Sequence, residues 1–449
     1  MGNSSGGHVH FGFFVLFACC AICFSTVTLS FNTAGIFYVP VGADLGIDAG
    51  RFGTYMSVQY LAMSVSMIFG GKILHRFDAR KVLSTCVAMV SAGLLSMSTF
   101  NELWQFYVAA AVIGAANSIL LYLMVPTMID RWFKERMGFF VGVALCFTGI
   151  GAIIFNPVGG FFIENFGWRA GYLAFGLISA GIGFPCALFF IRNSPSDKGL
   201  LRYGEKAGDA RRQEGEVAME GATFDQAVRT PVLYLVALYA GVADIGLTLN
   251  YYLPAYATTL GYSVLVVSSI ASVVMVGQLA GKLLLGYIND ISVKAGVACA
   301  ATSGILGVGI MTFLGGAGLV ALYVGAFLFG VFFASTTVTT SLMTRGIFGS
   351  RDYGRIFSVV ATVATLSSAF SSAIWGALIE ATGGYHAMLY GGLGVMLVVY
   401  VIGFAALSLG RRLPWASGPH ARSQASEVGA SPDGRACEAA SQEEGGSRS

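Results

Sequence analysis

Charge is what this chain has least of: 11% of its 449 residues are Asp, Glu, Lys or Arg, against roughly 25% in ordinary soluble domains. That shortage, beside 55% hydrophobic residues, excludes a soluble globular protein. Histidine is scarce too, and His8, His10, His75, His386 and His420 are scattered near termini and loops, so no metal site is expected. Of the eight cysteines, Cys19, Cys20, Cys23, Cys86, Cys146, Cys186 and Cys299 fall inside apolar stretches and Cys437 in a polar C-terminal segment. Their role is packing. Cys19 and Cys23 are one helical turn apart, but no His or acid in the same stretch completes a ligand set. No Gly-rich loop ends in Lys-Ser or Lys-Thr, so no bound nucleotide is expected to power a cycle, and no cofactor is expected. No basic cluster is interleaved with aromatics on a soluble face, which excludes a nucleic-acid partner.

What is present is apolar sequence in long pieces. A spanning helix needs about 20 mostly apolar residues, and twelve stretches meet that length: near 12–38, 53–74, 82–100, 105–128, 138–163 and 170–191, then near 231–257, 264–288, 295–314, 318–343, 355–379 and 386–410. The first is far longer than the apolar core of a secretion signal, lacks a basic start and has no small-residue cleavage site, so it reads as a retained helix.

The two sets of six repeat one another. Phe133, Arg136 and Gly138 correspond to Phe348, Arg351 and Gly354 at offsets of 215, 215 and 216. Gly160, Ile163, Glu164 and Gly167 match Gly376, Ile379, Glu380 and Gly383 at 216, with Tyr172 against Tyr385 slipping by three. Gly71 and Arg76 match Gly286 and Ile291. Parallel repeats of this kind build a two-bundle transporter with its site between the halves. The expected fold is an all-α polytopic membrane protein of twelve transmembrane helices in two pseudo-symmetric six-helix bundles. Residues 1–191 form the first bundle, 192–230 a linker, 231–410 the second bundle and 411–449 a tail. The tail has almost no large apolar residue beyond 416 and is expected to be disordered, because it cannot offset ordering entropy by burial. A short amphipathic surface helix is expected in the linker.

Charge placement gives the orientation, since Lys and Arg accumulate on the cytoplasmic side of spanning helices. With both termini inside, 23 of the 26 basic residues become cytoplasmic, and only Arg51, Arg169 and Lys282 remain. The expected location is the cell membrane, with linker and tail cytoplasmic. Trp104, Tyr107, Trp168 and Tyr172 fall near outer helix ends, where amphipathic rings favour the headgroup layer.

A charge at mid-helix costs about 2.5–3.5 kcal/mol on insertion scales and normally faces a cavity or a partner. Only Asp244 and Lys282 lie well inside spans. Asp244 is near the midplane of the seventh helix and Lys282 deeper toward the cytoplasmic end of the eighth, roughly 9 Å apart along the axis by the helical rise. The functional reading is that Lys282 attracts an anionic substrate while Asp244 carries a proton or balances the Lys, the two pairing directly or through substrate. The bland reading is a snorkelling Lys and a satisfied structural acid. Softer polar candidates are Asn32, Gln59, Tyr60, Asn117, Tyr122, Asn156, Asn250, Tyr251 and Gln278, each of which can bond a carboxylate or simply a neighbouring helix. The hydroxyl run Ser335, Thr336, Thr337, Thr339, Thr340, Ser341 reads more readily as helix-to-helix bonding.

The two-fold six-helix plan, the turn Gly71-Lys72-Ile73-Leu74-His75-Arg76-Phe77 and the weaker Gly286-Tyr287-Ile288-Asn289-Asp290 resemble the major facilitator superfamily over nearly the whole chain. Within it, Asp130-Arg131-Trp132-Phe133-Lys134-Glu135-Arg136-Met137-Gly138 with Gly142, Gly149 and Pro157, then Asn165-Phe166-Gly167-Trp168-Arg169, is similar to monocarboxylate porters and oxalate/formate antiporter-type carriers. So are Phe348-Gly349-Ser350-Arg351-Asp352-Tyr353-Gly354 and Asn193-Ser194-Pro195-Ser196-Asp197-Lys198-Gly199-Leu200. The resemblance implies alternating access for a small organic anion, coupled to a proton or to counter-anion exchange. It implies that Lys282, four residues before Gly286, stands where a carboxylate-binding cation sits, with Gln59 and Tyr122 near substrate-facing positions. It also implies conformational roles for Gly71, His75, Arg76, Arg136, Asp290 and Arg351. The chain departs from that branch in having Gln278 where several porters carry Asp, no Lys in its eleventh helix, and His75 in place of the usual Asp of the turn. The expected carrier works as a monomer in the bilayer. The runner-up is a drug or neutral-solute porter. One mid-helix acid and one Lys supply no enzyme's acid, base and nucleophile, and a receptor would need a folded output domain that the tail does not resemble.

Overall fold

The computed structural model describes residues 10–134, 137–204, 221–349 and 351–413. The remaining residues, including Arg136, linker residues 205–220 and nearly all of the expected tail, lie outside the described residues. Twelve long helices carry the fold: α1 Gly12–Leu45, α2 Tyr55–Arg76, α3 Ala79–Met97, α4 Leu103–Trp132, α5 Met137–Phe166 and α6 Trp168–Phe189 in one half, then α7 Pro231–Tyr251, α8 Val264–Ile291, α9 Val293–Leu314, α10 Leu319–Phe348, α11 Tyr353–Thr382 and α12 His386–Gly410. Eleven of them are both long and apolar enough to span a bilayer. The other, α2, has 22 residues, about 33 Å of helix by the 1.5 Å rise, but Ser57, Gln59, Ser64 and Ser66 along it and Lys72, His75 and Arg76 at its end dilute its hydropathy.

The two halves pack alike. In the first, α2 packs on α4, α3 on α4 and α6, and α1 on α5 and α6; in the second, α8 packs on α10, α9 on α10 and α12, and α7 on α11 and α12. The contacts between halves obey the same symmetry, α5 lying against α8 and α2 against α11. The sequence offset is therefore a duplication in space, and the twelve helices put residues 10 and 413, the two ends of the described chain, and the linker on one face, called here the linker face.

Proline sets the irregular turns. A proline has no N–H and its ring collides with the carbonyl four residues earlier. Pro126 and Pro185 accordingly follow π-helical stretches at Ser118–Met124 and Ser179–Gly183, and Pro254 follows a 3-10 turn at Thr248–Tyr251. Pro157 sits within continuous helix α5. The carbonyl it deprives is that of Ile153, which instead accepts a 3.1 Å hydrogen bond from Ser272 of α8, in the other half. Helix α1 runs past the expected end at 38 to Leu45, through a 3-10 turn at Ala34–Phe37.

The linker is pinned at both ends to equivalent loops. Tyr203 bridges to Phe133, its amide donating to the Trp132 carbonyl at 2.9 Å, while Gly221 bridges to Gly349 and the Ala222 amide donates to the Phe348 carbonyl at 2.8 Å. Phe133 and Phe348 are the residues that first revealed the repeat. The described linker helices are short, Pro195–Lys198 and Phe224–Val228.

Candidate functional site between the halves

The seam is closed tightly on the face away from the linker. A β-carbon on Gly35 would fall 2.6 Å from the Tyr251 carbonyl oxygen, and one on Gly50 would fall 2.7 Å from that of Gly376, so backbone meets backbone across the halves as only glycine allows. Ser372 of α11 donates to the Gly53 carbonyl at 3.2 Å, Tyr252 donates to the Ser372 carbonyl at 2.7 Å, and the Tyr38 and Tyr252 rings lie edge to face at 5.3 Å. Glu164 of α5 accepts from the Leu265 amide at the start of α8 at 3.1 Å.

Beneath this seal lies an aromatic and acidic cluster. The phenols of Tyr60 (α2) and Tyr251 (α7) share a hydrogen bond of 3.1 Å across the seam, with Phe31 of α1 edge-on at 5.3 Å from Tyr60. Half-buried Asp244 lies within electrostatic reach of Tyr60, Tyr122 and Tyr251. Its Oδ2 accepts a 3.1 Å hydrogen bond from Ser368 of α11, and the Tyr122 phenol lies beside Thr365 one turn away. One carboxylate on α7 thus faces two phenols from the first half, Tyr60 and Tyr122.

Lys282 occupies the other flank. It is half-buried on α8, and its ammonium lies within electrostatic reach of the thiols of Cys23 on α1 and Cys146 on α5. Among the described residues no carboxylate pairs with it. The expected direct pairing with Asp244 is therefore not made: Asp244 is turned to α2, α4 and α11, Lys282 to α1 and α5. One turn from Lys282, buried Gln278 faces Gly149 of α5 and leaves its Oε1 without a hydrogen-bond partner.

The other polar candidates separate from these two. Gln59 donates to the Ser30 carbonyl at 3.1 Å and Asn117 to the Ser30 hydroxyl at 2.9 Å, so both amides are turned onto α1 inside the first bundle. Asn32 donates to the Thr148 carbonyl at 3.2 Å, tying α1 to α5. Buried Asn156 has neither amide atom partnered, and the Asn250 Oδ1 is likewise unpartnered. Of the hydroxyl run, Thr336, Thr337 and Thr340 bond back to their own helix, and Thr339 accepts from Asn289 of α8 at 3.2 Å.

At the linker face, Gly71 and His75 lie in the last turns of α2, with Arg76 at its end, and Asp290 in the last turn of α8, while Arg351 is exposed in the turn before α11. A clamp not singled out by sequence holds this region: Arg131 donates to the Asn193 side chain at 3.0 Å and to the Leu74 carbonyl at 3.2 Å, and the same Asn193 oxygen accepts from the Ala79 amide at 2.9 Å. Ser30, Ser272 and Ser368 were missed for the same reason: an isolated serine in an apolar span carries no signal until its neighbour is known.

This architecture agrees with comparisons to known proteins. The fold matches the nucleoside transporter NupG with a TM-score of 0.69 at 10% identity, over 87% of this chain and 99% of that one. It matches a bacterial homologue of the human lysosomal transporter Spinster, in an inward-facing and occupied conformation, with a TM-score of 0.63 at 13% identity over 90% and 98%. In sequence, the chain is similar to the MFS-type transporter pynF of Aspergillus niger, 24% identical over 58% of this chain and 56% of that protein, and to monocarboxylate transporter 12 of Xenopus laevis, 24% identical over 37% and 36%. The matched region thus spans less than two thirds of each of these two relatives. The family profile described as Major Facilitator Superfamily matches residues 20–276 and 248–432, and the chain belongs to that superfamily of multi-pass membrane transporters.

Proposed function

We propose that this transporter is a secondary active carrier for a small organic anion of the monocarboxylate kind, working by proton symport or anion exchange. The observation that carries the reading is Lys282: a half-buried ammonium at the seam, with no carboxylate partner among the described residues. A cation at membrane depth is expensive unless a counter-charge arrives, and a substrate carboxylate supplies one. Asp244 stands on the other flank among phenols, free of that cation and suited to carry the coupling proton. The names of several relatives, monocarboxylate transporters 12, 13 and 3, support the same substrate class.

In this reading the linker face is cytoplasmic in a cell membrane, following the basic residues. The glycine-sealed face is then the outer one, and the described conformation is closed to the outside. The motif residues Gly71, His75, Arg76, Asp290 and Arg351 flank the cytoplasmic rim that must part and close as the halves rock.

A second reading, a carrier of neutral solutes, has one observation in its favour: the midplane cluster of Phe31, Tyr60 and Tyr251 is aromatic, a surface on which an uncharged ring would also lie. Uptake by proteoliposomes separates the two. A panel of labelled monocarboxylates and nucleosides is offered with and without a pH gradient or trans-loaded anion, to wild type, Lys282→Ala and Lys282→Arg. The anion reading requires carboxylate uptake that Lys282→Ala abolishes and Lys282→Arg retains in part. Transport of neutral solutes alone, indifferent to both substitutions, overturns it.

A further inference from the structure

One cavity among the described residues lies away from the seam. It measures about 670 Å³ and lies between the linker-side halves of α2 and α3 and the middle of α4, a volume in the range of roughly 300–1,000 Å³ typical of small-molecule sites. Its origin is a splay. Helices α2 and α3 each pack closely on α4 but touch one another little, and into the wedge α4 presents the small side chains of Ala115 and Ala116 beside Ile119.

The walls have two chemistries. The depth is apolar, formed by Phe69, Ile73, Val82, Met89 and Ile119, and Phe69 and Ile73 remain 56% and 38% exposed on the outer surface of the bundle. The groove therefore opens sideways, toward lipid and away from the α2–α11 seam. The mouth is polar: Arg76, Lys81 and Asp78, all exposed. Asp78 is engaged, its Oδ1 accepting from the Arg80 amide at 2.8 Å to cap α3. Arg76 and Lys81 have no hydrogen bond or ion pair among the described residues. Two free cations stand above an apolar trough that runs from Lys81 to Met89, about 12 Å along α3 by the helical rise.

We propose that this groove binds one anionic phospholipid of the linker-side leaflet, the phosphate held by Arg76 and Lys81 and an acyl chain laid between α2 and α3 over α4. The charge at the mouth selects the headgroup, and the apolar trough takes the tail that the sideways opening admits. A zwitterionic lipid fits the trough but brings its own cation to the two basic side chains. With Asp78 offsetting one of them, the expected preference for the anionic headgroup is roughly fivefold, the worth of one basic side chain at an anionic surface.

The test is photo-crosslinking of the full chain in nanodiscs with tail-diazirine phosphatidylglycerol or phosphatidylcholine, mapped by peptide mass spectrometry. Phosphatidylglycerol is expected to label the segments 66–89 and 115–119 several-fold more than phosphatidylcholine. The double variant Arg76→Gln, Lys81→Gln should bring the two to parity, and Thr85→Trp, which fills the trough from an exposed position, should lower labelling by both. Equal labelling of wild type by both lipids means an ordinary lipid annulus and overturns the proposal. Anionic labelling that survives the double variant, or that falls elsewhere on the bundle, overturns it as well.

Discussion

The seal on the face away from the linker rests on glycines, and Gly376→Ala tests whether it is a gate. A β-carbon at Gly376 would stand well inside van der Waals contact of the Gly50 carbonyl oxygen, a backbone atom that no rotamer change can move. The strain exists only while α11 lies against the Ala49–Gly53 turn; once the halves part at this face, it vanishes. Overpacking of this sort costs about 1–3 kcal/mol. A penalty confined to one of two conformers shifts their ratio by the same free energy, which is roughly 5- to 150-fold at 1.4 kcal/mol per decade. Helix propensity does not confuse the sign, because the gain of Ala over Gly inside a helix is the same in both conformers. The assay is double electron–electron resonance between spin labels at Asn101→Cys and Glu380→Cys, exposed positions on the two halves at this face, in a chain whose native thiols are replaced. The longer-distance population should grow in Gly376→Ala and stay put in the control Gly142→Ala, where a β-carbon meets nothing within 4 Å. Identical distance distributions for the two variants would refute the claim that this contact governs opening.

Two further outcomes follow from the same geometry. Asp244→Asn keeps an oxygen to accept from Ser368 at its present 3.1 Å, so the variant should fold and still exchange anions, but uptake should no longer accelerate under an inward pH gradient; a wild-type response to that gradient removes Asp244 from coupling. Arg131→Gln loses the bonds to Asn193 and Leu74, and since hydrogen bonds to charged groups are worth about 1.5–3 kcal/mol, its thermal unfolding in detergent should fall by several degrees; an unchanged midpoint would show that water replaces the guanidinium without loss.

Span count and duplication were legible because both rest on properties that survive without neighbours: runs of about 20 apolar residues and punctuating Gly and Arg at one offset. Helix ends were less so. Helix α1 continues to Leu45 because the 3-10 turn at Ala34–Phe37 absorbs the polar interruption at Asn32 and Thr33, and nothing in composition distinguishes that from a stop. Azimuth was the hardest quantity. The rise of about 1.5 Å per residue fixes height along a helix, which is why Asp244 and Lys282 were assigned depths, but each residue also turns the face by about 100°. In spans that are apolar nearly all round, no hydrophobic stripe marks the inward side. Gln59 and Asn117 therefore carry two readings in the sequence, a substrate carboxylate or a neighbouring helix, and in the fold their amides donate to Ser30. Arg131 was visible as a cytoplasmic base, but its partner Asn193 is 62 residues away in the sequence.

The duplication also bears on the roles proposed for the two charges. At an offset of 215 the counterparts of Asp244 and Lys282 in the first half are Leu29 and Met67, and that of Gln278 is Met63. The scaffold repeats and the charge does not. In the first half, polar atoms such as those of Ser30, Asn32, Gln59 and Asn117 bond helices to one another, and that half offers the phenols of Tyr60 and Tyr122 to Asp244. The second half brings the carboxylate and the ammonium to the seam, on opposite flanks. A symmetric pair of halves would present the same chemistry twice and hold a symmetric ligand best. On the proposed function, breaking the symmetry in one half would orient a small molecule with a single anionic end, its charge toward α8 and its uncharged remainder toward the tyrosines of α2 and α4, with the proposed proton site apart from the proposed substrate cation. On the same reading the halves would rock about that bound molecule while the linker, pinned at the equivalent residues Phe133 and Phe348, keeps one anchorage on each half.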